Sequence, residues 1–458
     1  MRAHILTPAL ALLLSPLFAQ PPAQTPTPAP AQLTPEQDHQ RMLDLLHITA
    51  LRPPVSPNGP KANPSNYDET KANPWPTLPN PLTFNNGKPV TSAKEWQTKR
   101  RPEIVELFDR EYLGRVPANA PAIHWEVAST STGTDAGIPT LTKHLIGHAD
   151  NSAYPAITVN IEVTLTLPAN APHPVPVVVE FSWPANPNAK PSTDPAPTWQ
   201  HQVLEKGWGY ANFYASTLQA DNAAGLQQGI IGLANHGQPR KLDDWGTLRA
   251  WAWGSSRLLD YFESDHDIDA HHVAIEGHSR YGKTALVAMA YEPRFAVAYV
   301  SSSGAGGASL ARRRFGEQLE NIADTREYYW MAGNYLKYAA LSPKLITPAD
   351  LPIDTHELIA LCAPRPVFLG AGTTEGGDGW ADSNGSFLAT AAATPVYQLL
   401  GHRGLVLDAF PAPNVSLITG DLGYRQHPGG HTSLPNFPTF LTFASRYMPS
   451  HPLPTPTK

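Results

Sequence analysis

The segment Gly277-His278-Ser279-Arg280-Tyr281-Gly282-Lys283 has the residue types and spacing to do chemistry. The run Val273-Ala274-Ile275 precedes it and the helix-favouring run Thr284 to Ala290 follows, so the pattern predicts a strand, a sharp turn holding a serine, and a helix. A serine on such a turn projects its hydroxyl at a helix N-terminus, where backbone N–H groups can receive a developing oxyanion. Gly277 and Gly282 would let the turn pack closely. The second glycine comes one residue later than in the common Gly-X-Ser-X-Gly elbow, and the plainer alternative is a serine N-cap.

A serine hydroxyl needs a histidine base, itself oriented by a carboxylate, and on parallel sheets covered by helices these partners follow in the order serine, acid, histidine. After the apolar run Pro366 to Gly370, one glycine-rich loop offers Glu375, Asp378 and Asp382. Asp378 is the first choice and Asp382 the second, and the plainer reading is a solvated acidic loop. Asp382-Ser383-Asn384-Gly385 also resembles part of a calcium loop, but Trp380 stands where the first ligand belongs. For the base, His427 and His431 flank Pro428-Gly429-Gly430 ahead of an apolar helix containing Phe437, Phe440, Leu441 and Phe443. His431, on the helix side, is preferred, with His402 third as a turn residue beside Gly401. His271 and His272 would point to opposite faces of a strand, which argues against shared metal ligation. No His-Glu-X-X-His, P-loop or dinucleotide fingerprint is present. The single cysteine, Cys362, excludes an internal disulfide and a thiolate cluster, and its apolar run Leu358 to Ala363 predicts a buried, inert thiol.

The elements that must hold these residues follow from pattern. Val175 to Phe181, Gly209 to Tyr214, Val273 to Ile275, Val297 to Val300 and Pro366 to Gly370 read as strands. A helix of about twenty residues, capped by Asp243, carries Trp245, Leu248, Ala252, Leu258, Leu259 and Phe262 at helical spacing. Ser92-Ala93-Lys94-Glu95 matches a capping box opening a helix to Tyr112, with a break or kink at Pro102. Pro53 to Pro81 is dense in Pro and Asn and should lie as an irregular belt. Strands alternating with helices imply a mostly parallel sheet with its ligand site at the strands' carboxyl ends, where every motif above falls.

With 41% hydrophobic and 16% charged residues in 458, the chain can bury a sizeable core. A net charge of -6 leaves no basic surplus for a nucleic-acid backbone. Arg2 and His4 precede the apolar stretch Ile5 to Phe18, followed by Ala19, the pattern of a secretory signal and too short to span a bilayer. The expected partition is a signal at 1–19, a Pro/Ala/Thr-rich tether at 20–37 and one catalytic domain over 38–454. The mature protein is expected in the periplasm or the medium, as a monomer.

The motif Gly277-His278-Ser279-Arg280-Tyr281-Gly282-Lys283, with Ser303-Gly304-Ala305-Gly306-Gly307 and Trp380, resembles the glucuronoyl esterases of carbohydrate esterase family 15. The resemblance extends to Asn66-Tyr67-Asp68-Glu69-Thr70-Lys71-Ala72-Asn73-Pro74 and Arg100-Arg101-Pro102-Glu103-Ile104. It implies an α/β-hydrolase fold, a mostly parallel central sheet flanked by helices in three layers, and cleavage of esters between glucuronic acid on xylan and lignin alcohols, without a cofactor. It further implies Ser279 as nucleophile, His431 as base and Arg280 as an oxyanion donor. Lys283 and Glu317 would bind sugar hydroxyls and Trp380 would wall the sugar; an exposed lysine, a solvated carboxylate and a core tryptophan are the respective plainer readings. Many family members carry a triad glutamate just before the Ser-Gly-X-Gly-Gly segment, where this chain has Ser302. The acid role must then move to Asp378, or activity must fall. Two rivals remain: an acetyl or feruloyl esterase, which would not require Lys283 or Glu317, and a carbohydrate-binding pseudoenzyme, motivated by Ser302.

Overall fold

The computed structural model describes residues 29–56, 63–172, 174–184, 196–341, 346–405 and 409–450. The signal at 1–19 lies outside the described residues, as does most of the tether. The tether's end does not: Ala31 N donates to Gly237 O, and a helix spans Pro35–Leu45 behind a Thr34–Gln37 capping box. This helix opens ahead of Asp38, because Thr34, Pro35 and Gln37 are themselves a helix-starting signal.

The described strands form one ten-stranded sheet, in the order β1-β2-β3-β5-β4-β6-β7-β8-β10-β9. They are β1 (Ile123–Asp135), β2 (Ile138–Ala149), β3 (Asn160–Pro168), β4 (Val175–Ser182), β5 (Gly209–Tyr214), β6 (Ile268–His278), β7 (Val297–Ser301), β8 (Val367–Gly372), β9 (Ser416–Leu417) and β10 (Leu422–His427). Strands β5, β4, β6, β7, β8 and β10 are parallel in succession, and β1, β2 and β3 extend that block antiparallel. The five strands expected from apolar runs are the buried middle of the sheet, where both faces are covered and continuous hydrophobicity is required. Strands β1 and β2, with alternating or polar faces, gave no such run. Pro176 sits inside β4 at a register shift against β6, where a missing N–H disturbs the ladder least.

Alternate residues of the strands pack on two cores. On one face Val177, Val179, Phe181, Ile275 and Val300 meet the helices Thr247–Phe262, Arg280–Tyr291 and Thr355–Leu361. On the other, Val178, Ala274, Tyr299 and Phe368 meet Trp199 and Val203 of the helix Trp199–Glu205 and Phe437, Phe440 and Phe443 of the helix Phe437–Ala444. This is the expected three-layer α/β arrangement.

Two helix boundaries differ from expectation. The sixteen-residue helix Thr247–Phe262 has Gly246, not Asp243, at its N-cap. Asp243 is occupied upstream, where its carboxylate accepts from Arg115 Nε and its carbonyl from Arg115 N. The Ser92 box does open a helix, but the disturbance near Pro102 is a π-helical turn, Trp96–Arg100, running directly into the helix Arg101–Glu111. Arg101 N reaches back to Trp96 O, and this widened turn relieves the clash of the proline ring with the preceding turn. Part of the Pro/Asn belt lies over the strand ends: Gly316 N donates to Asn66 O, Tyr67 packs edge-on against Phe315 at 5.6 Å, and Glu69 pairs with Arg313.

Candidate active site

Ser279 follows β6 directly, with φ 60° and ψ −128°, and the helix Arg280–Tyr291 begins at the next residue. A non-glycine residue at positive φ costs of order 1–2 kcal/mol, and the surrounding contacts hold it there. Ser279 N donates to Ser301 O at the end of β7, and Ser279 O accepts from Lys283 N. A Cβ on Gly277 would stand 2.1 Å from Tyr281 O, and one on Gly282 2.6 Å from Ser301 O, so both glycines are required by close approach. The geometry is that of an elbow, and the extra residue before Gly282 is accommodated within it.

The carboxyl ends of β8 and β10 bring the partners together. His431 Nδ1 is 2.7 Å from Asp378 Oδ1. Asp378 Oδ2 accepts from Ser302 Oγ at 2.6 Å and from Gly372 N at 2.7 Å. Burial by itself would push the Asp378 carboxyl up; the hydrogen bonds from His431 and Ser302 outweigh it and hold the group below its ordinary value. The hydroxyl of Ser302 therefore serves the Asp378 carboxylate as a donor. His431 reaches the elbow through His278, whose ring lies 4.3 Å from its own.

The rival candidates are occupied elsewhere. Asp382 is fully buried, pairs with Arg313, accepts from Ser309 Oγ and caps the next helix through Gly385 N. It anchors the acid loop. Glu375 lies exposed. His427 accepts from Gly429 N through Nδ1 and meets Thr432 O through Nε2, so both nitrogens brace the loop that carries His431. His402 is turned to Asp421. Cys362 is buried and burial pushes its thiol up to about 12, matching an inert sulfur.

Lys283, one turn beyond the serine, is 3% exposed, and its Nζ donates to Glu317 Oε2 at 2.7 Å and to Ala305 O. Neither member is the solvated surface charge of the plainer readings. Trp380 O accepts from Glu317 N at 2.9 Å, which ties the acid loop to the Glu317 loop. Arg280 Nη1 donates to Asp221 Oδ2 at 2.7 Å, and its guanidinium lies 5.1 Å from the Trp330 ring.

Several residues here had no sequence signal. Asp221 also accepts from Tyr329 OH and Trp330 Nε1, each at 2.9 Å, making it a fixed anchor for Arg280. Glu327 has a buried Oε2 without a hydrogen-bond partner; burial, then the charge of Glu317, pushes its carboxyl up to about 8 against Lys283 and Arg280. On the opposite face of the sheet, Glu180 and Glu276 stand side by side in the β4–β6 register. Burial pushes Glu180 up to about 7, while Glu276, wholly buried with neither oxygen partnered, is driven well above the ordinary range by burial and by Glu180. Among the described residues no group of three or more His, Cys, Asp or Glu side chains is placed to hold a metal ion.

The strand ends thus bring a serine on an elbow, an Asp–His pair and the buried Lys283–Glu317 ion pair to one edge of the sheet. A family model described as glucuronyl esterase of fungi matches residues 155–401. Carbohydrate esterase MZ0003, from an unknown prokaryotic organism, is 35% identical over 417 residues, covering 84% of this chain and 92% of that protein. A solved structure, a CE15 glucuronoyl esterase from Teredinibacter turnerae T7901, superposes with a TM-score of 0.83 at 41% identity, covering 90% of this chain and 99% of that one. The chain belongs to the glucuronoyl esterases of carbohydrate esterase family 15. The 4-O-methyl-glucuronoyl methylesterase of Schizophyllum commune is a more distant member, 30% identical over 336 residues, 71% of this chain and 74% of that protein. As a glucuronoyl esterase the protein is a carboxylic ester hydrolase with the α/β-hydrolase fold, and the resemblance read from the Gly277 to Lys283 motif holds along most of the chain.

Proposed function

We propose that this glucuronoyl esterase cleaves the ester between (4-O-methyl-)glucuronic acid on glucuronoxylan and a lignin alcohol, through a covalent glucuronoyl-enzyme at Ser279. The observation that carries the reading is the Asp378–His431 hydrogen bond of 2.7 Å at the strand ends beside the Ser279 elbow, with the Lys283–Glu317 pair one helical turn away. His431 takes the proton from Ser279 Oγ as the oxygen attacks the ester carbonyl, and Asp378 stabilises the imidazolium. The new negative charge on the former carbonyl oxygen meets backbone N–H groups at the start of the helix Arg280–Tyr291 and the guanidinium that Asp221 holds. As the C–O bond breaks, His431 returns the proton to the leaving alcohol; water, activated by the same base, then attacks the acyl-enzyme and releases the acid.

The polar side of the pocket suits a uronate. Lys283 retains ammonium hydrogens beyond its bonds to Glu317 and Ala305, Glu317 retains acceptor capacity, and Trp380 lies on the adjoining loop. The name 4-O-methyl-glucuronoyl methylesterase borne by a 30% identical relative supports the same acid. Export is proposed from the Arg2 to Ala19 pattern; among the described residues no helix is long and apolar enough to cross a membrane.

The test is hydrolysis of benzyl glucuronate beside p-nitrophenyl acetate by the mature protein, Ser279→Ala and Lys283→Ala. Preference for the uronate ester, abolished in the serine variant and selectively reduced in the lysine variant, is the expected result. Acetate turnover alone would overturn the substrate assignment, and no turnover of either would overturn catalysis.

A further inference from the structure

His278 precedes the candidate nucleophile, and nothing in the reaction as written uses it. Its ring centroid lies 4.3 Å from that of His431, tilted by 51°. Its Nδ1 is 3.0 Å from Oγ of Ser301, which is itself wholly buried. Its Nε2 is buried without a hydrogen-bond partner, and the backbone of His431 lies beside the ring. Burial, then the neighbouring His431, pushes its pKa down to about 4, against the opposing charge of Asp378. Burial thus favours the neutral imidazole.

We infer that His278 is a positioning residue that holds the ring of His431 in line with Ser279 from the last position of the strand that the serine follows. The inference rests on His431 being the base. His431 sits on Pro428-Gly429-Gly430, a backbone with little side-chain mass to pack, and its side chain is 41% exposed. Its polar anchor is Asp378 through Nδ1, and a planar ring held at one nitrogen can still swing about that bond. A second ring packed at 4.3 Å and tilted by 51° removes this freedom. Because His278 ends β6 and Ser279 follows it directly, the buttress fixes the base relative to the nucleophile itself. Neutrality matters as well: a cation in van der Waals contact would oppose formation of the imidazolium that the reaction requires.

Misplacing a reacting group by about 1 Å can cost about 10²-fold in rate. His278→Ala is therefore expected to lower kcat about 10²-fold on both benzyl glucuronate and p-nitrophenyl acetate, with KM within about two-fold. His278→Phe, which restores a ring but not the bond to Ser301, should recover kcat to within about ten-fold of the parent. The proton shared by His431 Nδ1 and Asp378 supplies a direct readout by one-dimensional proton NMR. A far-downfield resonance, absent in His431→Gln, should persist in His278→Phe and broaden or vanish in His278→Ala, while circular dichroism verifies that each variant is folded. Unchanged kcat in His278→Ala overturns the inference, as does a loss with the downfield proton intact, or a folded His278→Phe as slow as the alanine variant. If His431→Gln keeps full turnover, the assignment of the base is what fails and the buttress falls with it; if His431→Gln is inactive and His278→Ala is not, the buttress alone fails.

Discussion

Replacing Asp378 by asparagine changes one atom, and the surrounding donors dictate how the new amide sits. In the native site Oδ2 faces two donors, Gly372 N–H and the Ser302 hydroxyl, and Oδ1 faces His431 Nδ1. The backbone donor at Gly372 cannot be reversed, so an amide nitrogen placed there would set two N–H groups against each other at 2.7 Å. The asparagine must instead keep its oxygen toward Gly372 and Ser302 and turn its NH₂ toward His431. Nδ1 must then accept, which moves the ring proton to Nε2, and that nitrogen can no longer take the proton of Ser279. The same exchange in a serine triad costs about 10⁴-fold in kcat, equivalent to about 5.5 kcal/mol of transition-state stabilisation. KM should stay nearly constant, since under this assignment Asp378 acts through His431 and not on the ester. The assay is the steady-state rate with benzyl glucuronate over a pH series, with melting recorded to confirm the fold. A fall of less than about ten-fold, or a loss carried mainly by KM, would refute the assignment of Asp378 and the tautomer argument together.

Asp221→Asn should lower kcat about 10- to 100-fold on every ester tested, in line with losing part of an oriented oxyanion donor, because the neutral amide frees Arg280; an unchanged kcat would show that Arg280 does not meet the oxyanion. Asp382→Ala leaves Arg313 buried and without its main counter-charge, a loss of about 3–5 kcal/mol of stability, to be measured by denaturant unfolding. Glu276 is held neutral in the folded chain but ionises in the unfolded one above the ordinary carboxylate range, so its favourable contribution is full below that range and is lost as pH rises toward the raised folded value. Glu276→Gln should therefore gain stability over the parent as pH rises from about 4 to about 8, read by denaturant unfolding, and a gain independent of pH would show that the carboxyl is not held neutral.

The elbow was legible because its information is contiguous: strand, glycine, serine, glycine and helix fall within a few residues, and local backbone geometry follows from local sequence. Asp378 and His431 were legible as candidates because parallel strands deliver their carboxyl ends to one edge, so a polar loop after an apolar run points to the site. Asp221 and Glu327 were not legible. Each sits in an irregular stretch with no periodic pattern, and its meaning comes from Arg280, Lys283 and Glu317, far along the chain. The β1–β3 extension was missed for a related reason, since half-exposed strands lack the continuous apolar run that marks a buried one.

Composition and short-range pattern determined that this chain buries a large core, builds a parallel sheet and sets Ser279 on a strained turn at a helix start. Only the tertiary structure decided which carboxylate on the one loop meets which histidine on the other. Asp382 and Asp378 share one loop and His427 and His431 share another, so spacing cannot separate them. Asp382 is taken by Arg313 and Ser309, and His427 by its own loop backbone, while Asp378 keeps one oxygen for His431. A side chain's role is set by which partners claim its lone pairs and protons, and those partners are brought within reach by the packing of residues far apart in the chain.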